Sequence, residues 1–289
     1  MIPARWLLTG AGGQLGTSLL ERSLGPQRAW TPLSHGALDI ASADAVARVL
    51  EEVRPEVVVN AAAFTHVDRC ESEPEAARRA NAEGPAALAR ACEGRALLVH
   101  VSTEYVFPGD ACVPIPEDTP VAPRSVYGDT KAQGEAAIRG TRCDHLIVRT
   151  QWLFGRGRSF VGTMLELARQ EPLLRVVEDQ LGRPTSTDAL AVGLIQAIDR
   201  GLRGTLHLAC EGVASWYDLA RQVVALGAGH GLTRAVPVEP VSTAAFPRPA
   251  ARPAYGVLGL ERARQAGIQL PHWIDALGAH LEREVARHA

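Results

Sequence analysis

The chain has 289 residues, of which 46% are hydrophobic, and its formal net charge is -2. That length allows one large domain or two lobes. The absence of a basic excess argues against nucleic acid as a partner. No apolar run is long enough to cross a bilayer and no signal-peptide pattern opens the chain, so we expect a cytoplasmic protein without a membrane partner.

Five cysteines form an odd set without a C-x-x-C pair. This spacing argues against a disulfide framework and against a zinc site. We therefore predict packing or incidental thiols and no metal ligands, while a metal at a subunit interface stays open.

The first 150 residues alternate short β-branched or leucine-rich runs with alanine-rich helical stretches. The predicted strands are RWLLTG, EVVVNAA, ALLVHVST and HLIVRT, and the predicted helices are LGTSLLERSL, ADAVARVLEEV, PEAARRANAEGPAALARAC and KAQGEAAIRG. This alternation predicts a parallel sheet with helices on both faces, and the continuous apolar runs are typical of buried parallel strands. The fold class is thus α/β, a Rossmann-like doubly wound parallel sheet.

Beyond Thr150 the alternation loosens. Helices are predicted at FVGTMLELARQ and TDALAVGLIQAIDRG and strands at LRVVED and TLHLAC. The proline-rich AFPRPAARPAY is too apolar and too rich in arginine for a plain linker, and a surface loop is the alternative.

Gly10, Gly13 and Gly16 follow the first predicted strand and open a helix. Glycines there permit a tight turn and let the backbone approach a pyrophosphate at the helix N-terminus. A tight turn alone is the alternative, but the position in a βαβ series favours dinucleotide binding. We expect residues 1–150 to form an NAD(P)-binding domain, to which 184–225 return, and 151–289 to form mainly a smaller substrate-binding lobe.

The second strand should end near AWTPLSHG, where no acidic residue is available for the ribose hydroxyls of NAD. Ser34 and His35 leave room for a 2'-phosphate. NADPH is therefore the favoured cofactor, with NADH left open because no arginine stands there either.

Tyr127 and Lys131 are four residues apart in SVYGDTK, on one face if the segment is helical. A nearby cation lowers the pKa of a phenol and brings it toward the range of a general acid. The alternative is an amphipathic helix start. Ser102, Thr103 and Glu104 end the strand counted as the fifth, and three alanines, Ala61 to Ala63, follow the strand counted as the fourth.

Seven motifs occur in a fixed order: NAAAFTHVDRCESEP, VSTEYVFPGD, SVYGDTK, VRTQWLFG, EDQLGRPT, SWYDLA and FPRPAARP. Together they resemble the dTDP-4-dehydrorhamnose reductases, in the extended branch of the short-chain dehydrogenase/reductase superfamily, over nearly the whole chain. The resemblance implies an oxidoreductase of dTDP-rhamnose biosynthesis, which supplies cell-wall polysaccharide. It would use NADPH to reduce the C4 keto group of a dTDP-4-keto-6-deoxyhexose.

The resemblance also implies roles for particular residues. Tyr127 would donate a proton to the C4 oxygen, Lys131 would lower the pKa of Tyr127 and hold the nicotinamide ribose, and Thr103 would orient the same oxygen. The implied cofactor-binding residues are Gly10, Gly13, Gln14, Leu15, Gly16, Asp39, Ile40, Ala61, Ala62, Ala63, Tyr127 and Lys131. The implied substrate-binding residues are Val67, Thr103, Glu104, Tyr127, Trp152 and Arg252.

Some positions depart from the family pattern. Glu104 stands where the family usually has aspartate, Gly256 lies near a usual serine, and Ala251 replaces the first arginine of an Arg-Arg-Pro motif. A related dTDP-4-keto deoxysugar is therefore an alternative substrate. A second hypothesis is a non-catalytic NADP-binding subunit similar to the regulatory β subunit of methionine adenosyltransferase, and a third is a nucleotide-sugar epimerase or dehydratase. The exact sugar, the product stereochemistry and a homodimer are left open.

Overall fold

The structure, a computed structural model, describes residues 4–22 and 28–288. The strands are β1 Ala4–Thr9, β2 Arg28–Leu33, β3 Val57–Asn60, β4 Leu97–Thr103, β5 His145–Thr150, β6 Leu153–Phe154, β7 Leu174–Val177, β8 Leu181–Gly182, β9 Thr185–Ser186, β10 Gly204–His207, β11 Ala214–Ser215 and β12 Val238–Val241. The helices are α1 Gln14–Arg22, α2 Ala43–Val53, α3 Val67–Ser72, α4 Pro74–Arg78, α5 Gly84–Cys92, α6 Val126–Arg139, α7 Phe160–Gln170, α8 Thr187–Asp199, α9 Trp216–Gly229, α10 Glu261–Gln265 and α11 Trp273–His288.

Six strands form one parallel sheet in the order β10-β5-β4-β3-β1-β2. This confirms the predicted doubly wound α/β class. The chain moves outward from β1 to β2 and then crosses back to β3, so the strand order reverses between β1 and β3. In such sheets a crevice opens beyond the carboxyl ends of the strands at this switch point, and ligands bind there.

Helices cover both faces of the sheet because successive strand residues point to opposite sides. Trp6 and Leu8 of β1 pack into one apolar core, which α1, α7, α8, α9 and α11 complete. Leu7 of β1 packs into the other core, against α2, α5 and α6. The continuous apolar strands of the sequence are thus buried on both sides, as parallel strands are.

The structure corrects two details of the sequence interpretation. Between β2 and β3 the chain forms only α2, so the strands counted as fourth and fifth are the third and fourth of the sheet. The single helix expected at PEAARRANAEGPAALARAC is divided into α4, a π-helical turn at Arg79–Glu83 and α5. Pro85 explains part of this break because it has no backbone N–H to donate. The last two residues of the helix predicted at LGTSLLERSL lie outside the described residues.

The second half of the chain contributes both to the sheet and to smaller units. Strand β10 pairs with β5 at the sheet edge, whereas β11-β8, β12-β7 and β6-β9 form separate two-stranded sheets. The proline-rich tract 245–255 begins at the end of a short 3-10 turn, Thr243–Ala245, and contains no α-helix or β-strand. The boundaries of the two predicted domains stay a prediction.

In the described part of the chain, no helix is both long and apolar enough to span a bilayer.

Candidate active site

The glycine loop lies at the switch point and is shaped by close backbone contacts. Gly10 has a φ of +73°, and a Cβ there would lie 2.6 Å from the backbone nitrogen of Ala62. A Cβ on Gly16 would lie 2.4 Å from the carbonyl oxygen of Gly10, so α1 can start this close to the loop only with glycine. The N-terminus of α1 therefore faces the crevice with free backbone amides, which suits a pyrophosphate.

The other expected cofactor residues of α1 differ in what their side chains do. The side-chain nitrogen of Gln14 donates to the carbonyl oxygen of Arg158 at 2.8 Å, while its buried Oε1 has no hydrogen-bond partner. Leu15 is buried in the core that α1 shares with the sheet. Leu15 can therefore contact a ligand only through its backbone. Gln14 still has an unpaired side-chain oxygen that can accept a hydrogen bond.

Asp39 and Ile40 follow β2 and are expected at the adenine end of the site. The two oxygens of Asp39 accept from the Ala41 amide and from the Arg79 guanidinium, each at 3.0 Å. The Ile40 side chain is buried, and a Cβ on Gly84 would collide with it at 2.6 Å. Asp39 is thus the polar member of the pair and Ile40 the packing member.

Ala61, Ala62 and Ala63 continue β3 as a half-buried loop. The Ala61 amide donates to the carbonyl oxygen of Thr9 at 3.1 Å, which keeps the first alanine beside β1 and the glycine loop. The small side chains and the glycine cradle, together with the orphaned Gln14 oxygen, fit a dinucleotide lying across β1 and β3.

Helix α6 brings Tyr127 and Lys131 to one buried face, as the spacing predicts. Ser125 caps the helix by accepting from the Gly128 amide at 3.1 Å. A Cβ on Gly128 would lie 2.2 Å from the carbonyl oxygen of Tyr105, so glycine lets the helix start pack against the turn at Glu104–Val106. Tyr127 also contacts the ring of Tyr105 edge-on at 5.4 Å.

Thr103 and Glu104 lie at the end of β4 next to Tyr127. The Thr103 hydroxyl donates to Oε2 of Glu104 at 2.8 Å. Glu104 is 2% exposed, and burial raises its pKa from 4.5 to about 7, although the Thr103 hydrogen bond opposes this. The site therefore contains a carboxyl group that changes charge near neutral pH.

The surroundings of the Tyr127 phenol oppose the lowered pKa expected from Lys131. Burial raises the pKa of Tyr127 well above its ordinary value, the carboxyl of Glu104 adds to the rise, and the neighbouring Thr103 side chain opposes it. The amine of Lys131 instead donates to the carbonyl oxygen of Val101 at 2.6 Å and lies 3.2 Å from Nε2 of His100. Tyr127 is consequently a neutral phenol, the form that can donate a proton.

Val67 and Trp152, two expected substrate residues, lie in different elements. Val67 starts α3 and packs in the small cluster that contains Tyr127. Trp152 has a φ of +48°, a strained backbone conformation for a large residue. Its ring stacks on Trp216 at 3.7 Å and 11°, and a Cβ on Gly182 would lie 2.6 Å from it. Trp152 is therefore held tightly by its own neighbours.

Arg252 is already paired in this structure. One guanidinium nitrogen donates to Oδ1 of Asp68 at 2.8 Å, and another donates to the carbonyl oxygen of Ala250 at 3.0 Å. Asp68 follows Val67 on α3. These contacts join the proline-rich tract to α3.

Two of the three departures from the family pattern, Glu104 and Gly256, lie next to each other. A Cβ on Gly256 would lie 3.1 Å from Cγ of Glu104, which is tighter than ordinary packing. The absence of a side chain at Gly256 thus makes room for the additional methylene of Glu104.

Sequence reasoning missed four residues that support the site. Buried His100 and Asn60 lie behind Lys131, Trp216 supports Trp152, and Tyr105 packs against Tyr127. A histidine and an asparagine inside the apolar runs LLVHV and VVVN were the available signal, because buried polar side chains need partners. In the described residues, no cluster of three or more His, Cys, Asp or Glu side chains is arranged around a metal position.

Comparison with known proteins identifies the family. The profile described as RmlD substrate binding domain matches residues 4–286. The chain belongs to this family. Relatives within it include a Streptomyces antibioticus protein named "Probable dTDP-4,6-dihydroxy-2-methyloxan-3-one 4-ketoreductase", 46% identical over 94% of this chain and 93% of its own. A dTDP-4-dehydrorhamnose reductase of Streptomyces griseus is 44% identical over 94% of this chain and 91% of its own.

The solved structure of a relative has the same fold as this chain. The dTDP-4-dehydrorhamnose reductase of Bacillus anthracis, crystallised in complex with NADP, superimposes with a TM-score of 0.91 at 35% identity, covering 97% of this chain and 99% of its own. The family and the doubly wound fold are thus shown together.

Proposed function

We propose that this chain is an NADPH-dependent reductase of the C4 keto group of a dTDP-4-keto-6-deoxyhexose. The first candidate reaction converts dTDP-4-dehydro-β-L-rhamnose to dTDP-L-rhamnose. The observation that carries the proposal is the buried cluster of Thr103, Tyr127 and Lys131 beside the switch-point crevice of β1 and β3. Relatives of nearly the same length that are named as dTDP-sugar 4-ketoreductases support it.

Each end of the dinucleotide has candidate contacts in this chain. Gly10, Gly13 and Gly16 allow the close backbone packing that shapes the loop at the start of α1, where the pyrophosphate would bind. Asp39 would face the adenosine, and Ala61 to Ala63 would lie under the nicotinamide. When bound, NADPH supplies the hydride that adds to C4 of the sugar.

Tyr127 would complete the reduction. As the carbonyl carbon gains hydride, its oxygen gains the electron pair of the π bond and takes the proton of the Tyr127 phenol. The raised pKa of Tyr127 keeps this proton in place before the reaction. The Thr103 hydroxyl would hydrogen-bond the same oxygen, although in the ligand-free protein its proton is directed to Glu104.

The sugar and diphosphate would lie on the side formed by Val67, Glu104, Trp152 and Arg252. Arg252 can offer a planar pair of donors to a phosphate, but it must then share or exchange its contact with Asp68. The tightly stacked Trp152 would limit the position of the sugar ring.

A second candidate is the reduction of a related dTDP-4-keto deoxysugar. The contact of Glu104 with Gly256 favours it, because this pair changes the shape of the pocket relative to the usual family pattern. A non-catalytic NADP-binding subunit has less support, since such a role does not require a buried proton donor next to the crevice.

The deciding experiment follows oxidation of NADPH after addition of each dTDP-4-keto-6-deoxysugar, with wild type, Tyr127→Phe and the control Tyr217→Phe on α9. Removal of the proton donor should lower kcat by about 10²–10⁴ while NADPH binding and the melting temperature stay unchanged. The control should keep wild-type kcat. Near wild-type turnover of Tyr127→Phe would exclude this acid, and no oxidation with any such sugar would exclude the reductase.

A homodimer, the cytoplasmic location and the absence of a nucleic-acid partner stay predictions. Sedimentation velocity would test the first of them.

A further inference from the structure

A line of buried polar side chains crosses the sheet behind Lys131. The Thr9 hydroxyl on β1 donates to Oδ1 of Asn60 on β3 at 2.7 Å, and Nδ2 of Asn60 lies 3.0 Å from Nδ1 of His100 on β4. Nε2 of His100 then lies 3.2 Å from Nζ of Lys131. Thr9, Asn60 and His100 are at most 1% exposed and Lys131 is 2% exposed, so their hydrogen bonds must be made within the protein.

A backbone amide fixes the direction of this line. The Ala62 N–H donates to Oδ1 of Asn60 at 3.2 Å, and a backbone N–H can only donate. The oxygen of the Asn60 amide is therefore on the side of Ala62 and Thr9, and its NH2 group faces His100. Nδ1 of His100 must accept from that group, so in a neutral ring the proton is on Nε2.

His100 is neutral in this environment. Burial lowers the pKa of its imidazole well below the ordinary 6.5, and positive charge on Lys131 would lower it further. Its Nε2–H therefore points at the Lys131 amine. An ammonium has three donors and no acceptor, and two donors at 3.2 Å cannot hydrogen-bond. An uncharged amine has a lone pair that can accept from Nε2–H while it donates to the Val101 carbonyl.

Burial acts in the same direction as the His100 hydrogen bond. It lowers the pKa of Lys131 from 10.5 to about 8, against the opposing charge of nearby Glu135 on α6, so the uncharged amine becomes the major form only above about pH 8 if burial acts alone. The carboxylate of Glu135, however, is held by Arg149 of β5 at 3.0 and 2.7 Å and by Arg139 of its own helix at 2.8 Å. Tyr127, also on α6, is a neutral phenol. In the described part of the chain, no carboxylate pairs directly with Lys131.

We propose that His100 is a positioning residue whose tautomer, fixed by Asn60 and the Ala62 amide, stabilises the uncharged amine of Lys131 in the ligand-free protein. The lysine would then have its nitrogen directed between Val101 and His100 before a cofactor arrives. This inference deepens the proposed function because Lys131 belongs to the same site, but it concerns the protein without ligand and is tested there.

The test is NMR spectroscopy of the ligand-free protein with isotope-labelled histidine and lysine. Long-range 15N–1H correlations report which ring nitrogen of His100 carries the proton, and the Lys131 side-chain shifts report its titration. We expect the Nε2–H tautomer throughout the pH range of the folded protein, and a Lys131 midpoint below 8. An Nδ1–H tautomer, an imidazolium, or a Lys131 midpoint near the ordinary value of 10.5 would overturn the proposal.

Two variants separate the tautomer effect from a structural role. In His100→Gln the carboxamide can turn its oxygen toward the lysine and accept from an ammonium, so the Lys131 midpoint should rise by about one pH unit or more, a tenfold change. In Asn60→Asp the carboxylate should accept from Nδ1–H and reverse the tautomer. The matched control His145→Gln should change neither readout, because His145 lies at the amino end of the neighbouring strand β5 and its ring contacts the carbonyl oxygen of Cys143.

An unchanged Lys131 midpoint in folded His100→Gln would also refute the positioning role. If a variant does not fold, the wild-type tautomer and midpoint still decide the question. These measurements need no sugar, so a failed reductase assay with the expected spectra would remove the proposed function and leave this inference intact.

Discussion

Replacement of Glu104 by glutamine should make the protein more stable at alkaline pH. Burial raises the pKa of this carboxyl group from 4.5 to about 7, so the folded state binds a proton that the unfolded state releases between these values. The stability that depends on this proton is present at acidic pH and is lost as the pH rises toward 7. Glutamine has the same shape and cannot ionise.

The magnitude follows from the size of the shift. One pKa unit corresponds to about 1.4 kcal/mol, so the change from 4.5 to about 7 costs the wild type about 3 kcal/mol of unfolding free energy above pH 7. The Thr103 hydroxyl donates to Oε2 of Glu104, and the amide oxygen of Glu104→Gln can still accept this bond. The variant should therefore be about as stable as wild type near pH 4 and clearly more stable near pH 8.5.

Urea unfolding, monitored by circular dichroism, gives the unfolding free energy of each protein at both pH values. The effect is the change in unfolding free energy between the two pH values in the variant, minus the same change in wild type. Other groups titrate in both proteins and cancel in the comparison. The matched control is Glu52→Gln on the exposed side of α2, which should follow the wild-type pH dependence. If Glu104→Gln also runs parallel to wild type from pH 4 to pH 8.5, Glu104 does not titrate between the two values and the reasoning from burial fails.

Three further predictions concern ligands. Arg252→Ala should raise the KM for the dTDP-sugar by at least about tenfold, given roughly 1.5–3 kcal/mol for hydrogen bonds to charged groups, whereas Asp68→Asn should not. An equal rise of KM in both variants, or a lower melting temperature with normal kinetics, would show that Arg252 only stabilises the proline-rich loop. Trp216→Leu should raise the KM for the dTDP-sugar roughly threefold to tenfold, because an aromatic pair contributes about 0.5–1.5 kcal/mol. The Kd for NADPH should stay unchanged. A wild-type KM would show that sugar binding does not depend on the stacking of Trp216 against Trp152. NADPH should be used at least as well as NADH in kcat/KM, and a strong preference for NADH would direct attention to Asp39.

The sequence determined the features that depend on local chemistry. Repeated apolar runs and alanine-rich stretches predicted the α/β class. A strand that is buried on both faces must be apolar whatever its position in the strand order of the sheet. Gly10 and Gly16 marked the loop, since only glycine tolerates such close backbone contacts. Tyr127 and Lys131 were placed on one helical face by their spacing alone.

Motif resemblance added what local chemistry could not. It assigned the family, which the match over residues 4–286 confirms. The individual roles of Thr103, Trp152 and Arg252 stay proposals, because a resemblance transfers a position without its surroundings.

Only the tertiary structure decided the surroundings of the reactive groups. The phenol of Tyr127 has a raised pKa because β4 and the turn after it bury it beside Glu104, and the amine of Lys131 is turned to His100, 31 residues earlier in the chain. Asn60 reaches the same histidine from 40 residues away. Such contacts depend on which strands become neighbours, and the free energy of a buried charge depends on every group around it, so neither can be read from spacing along the chain.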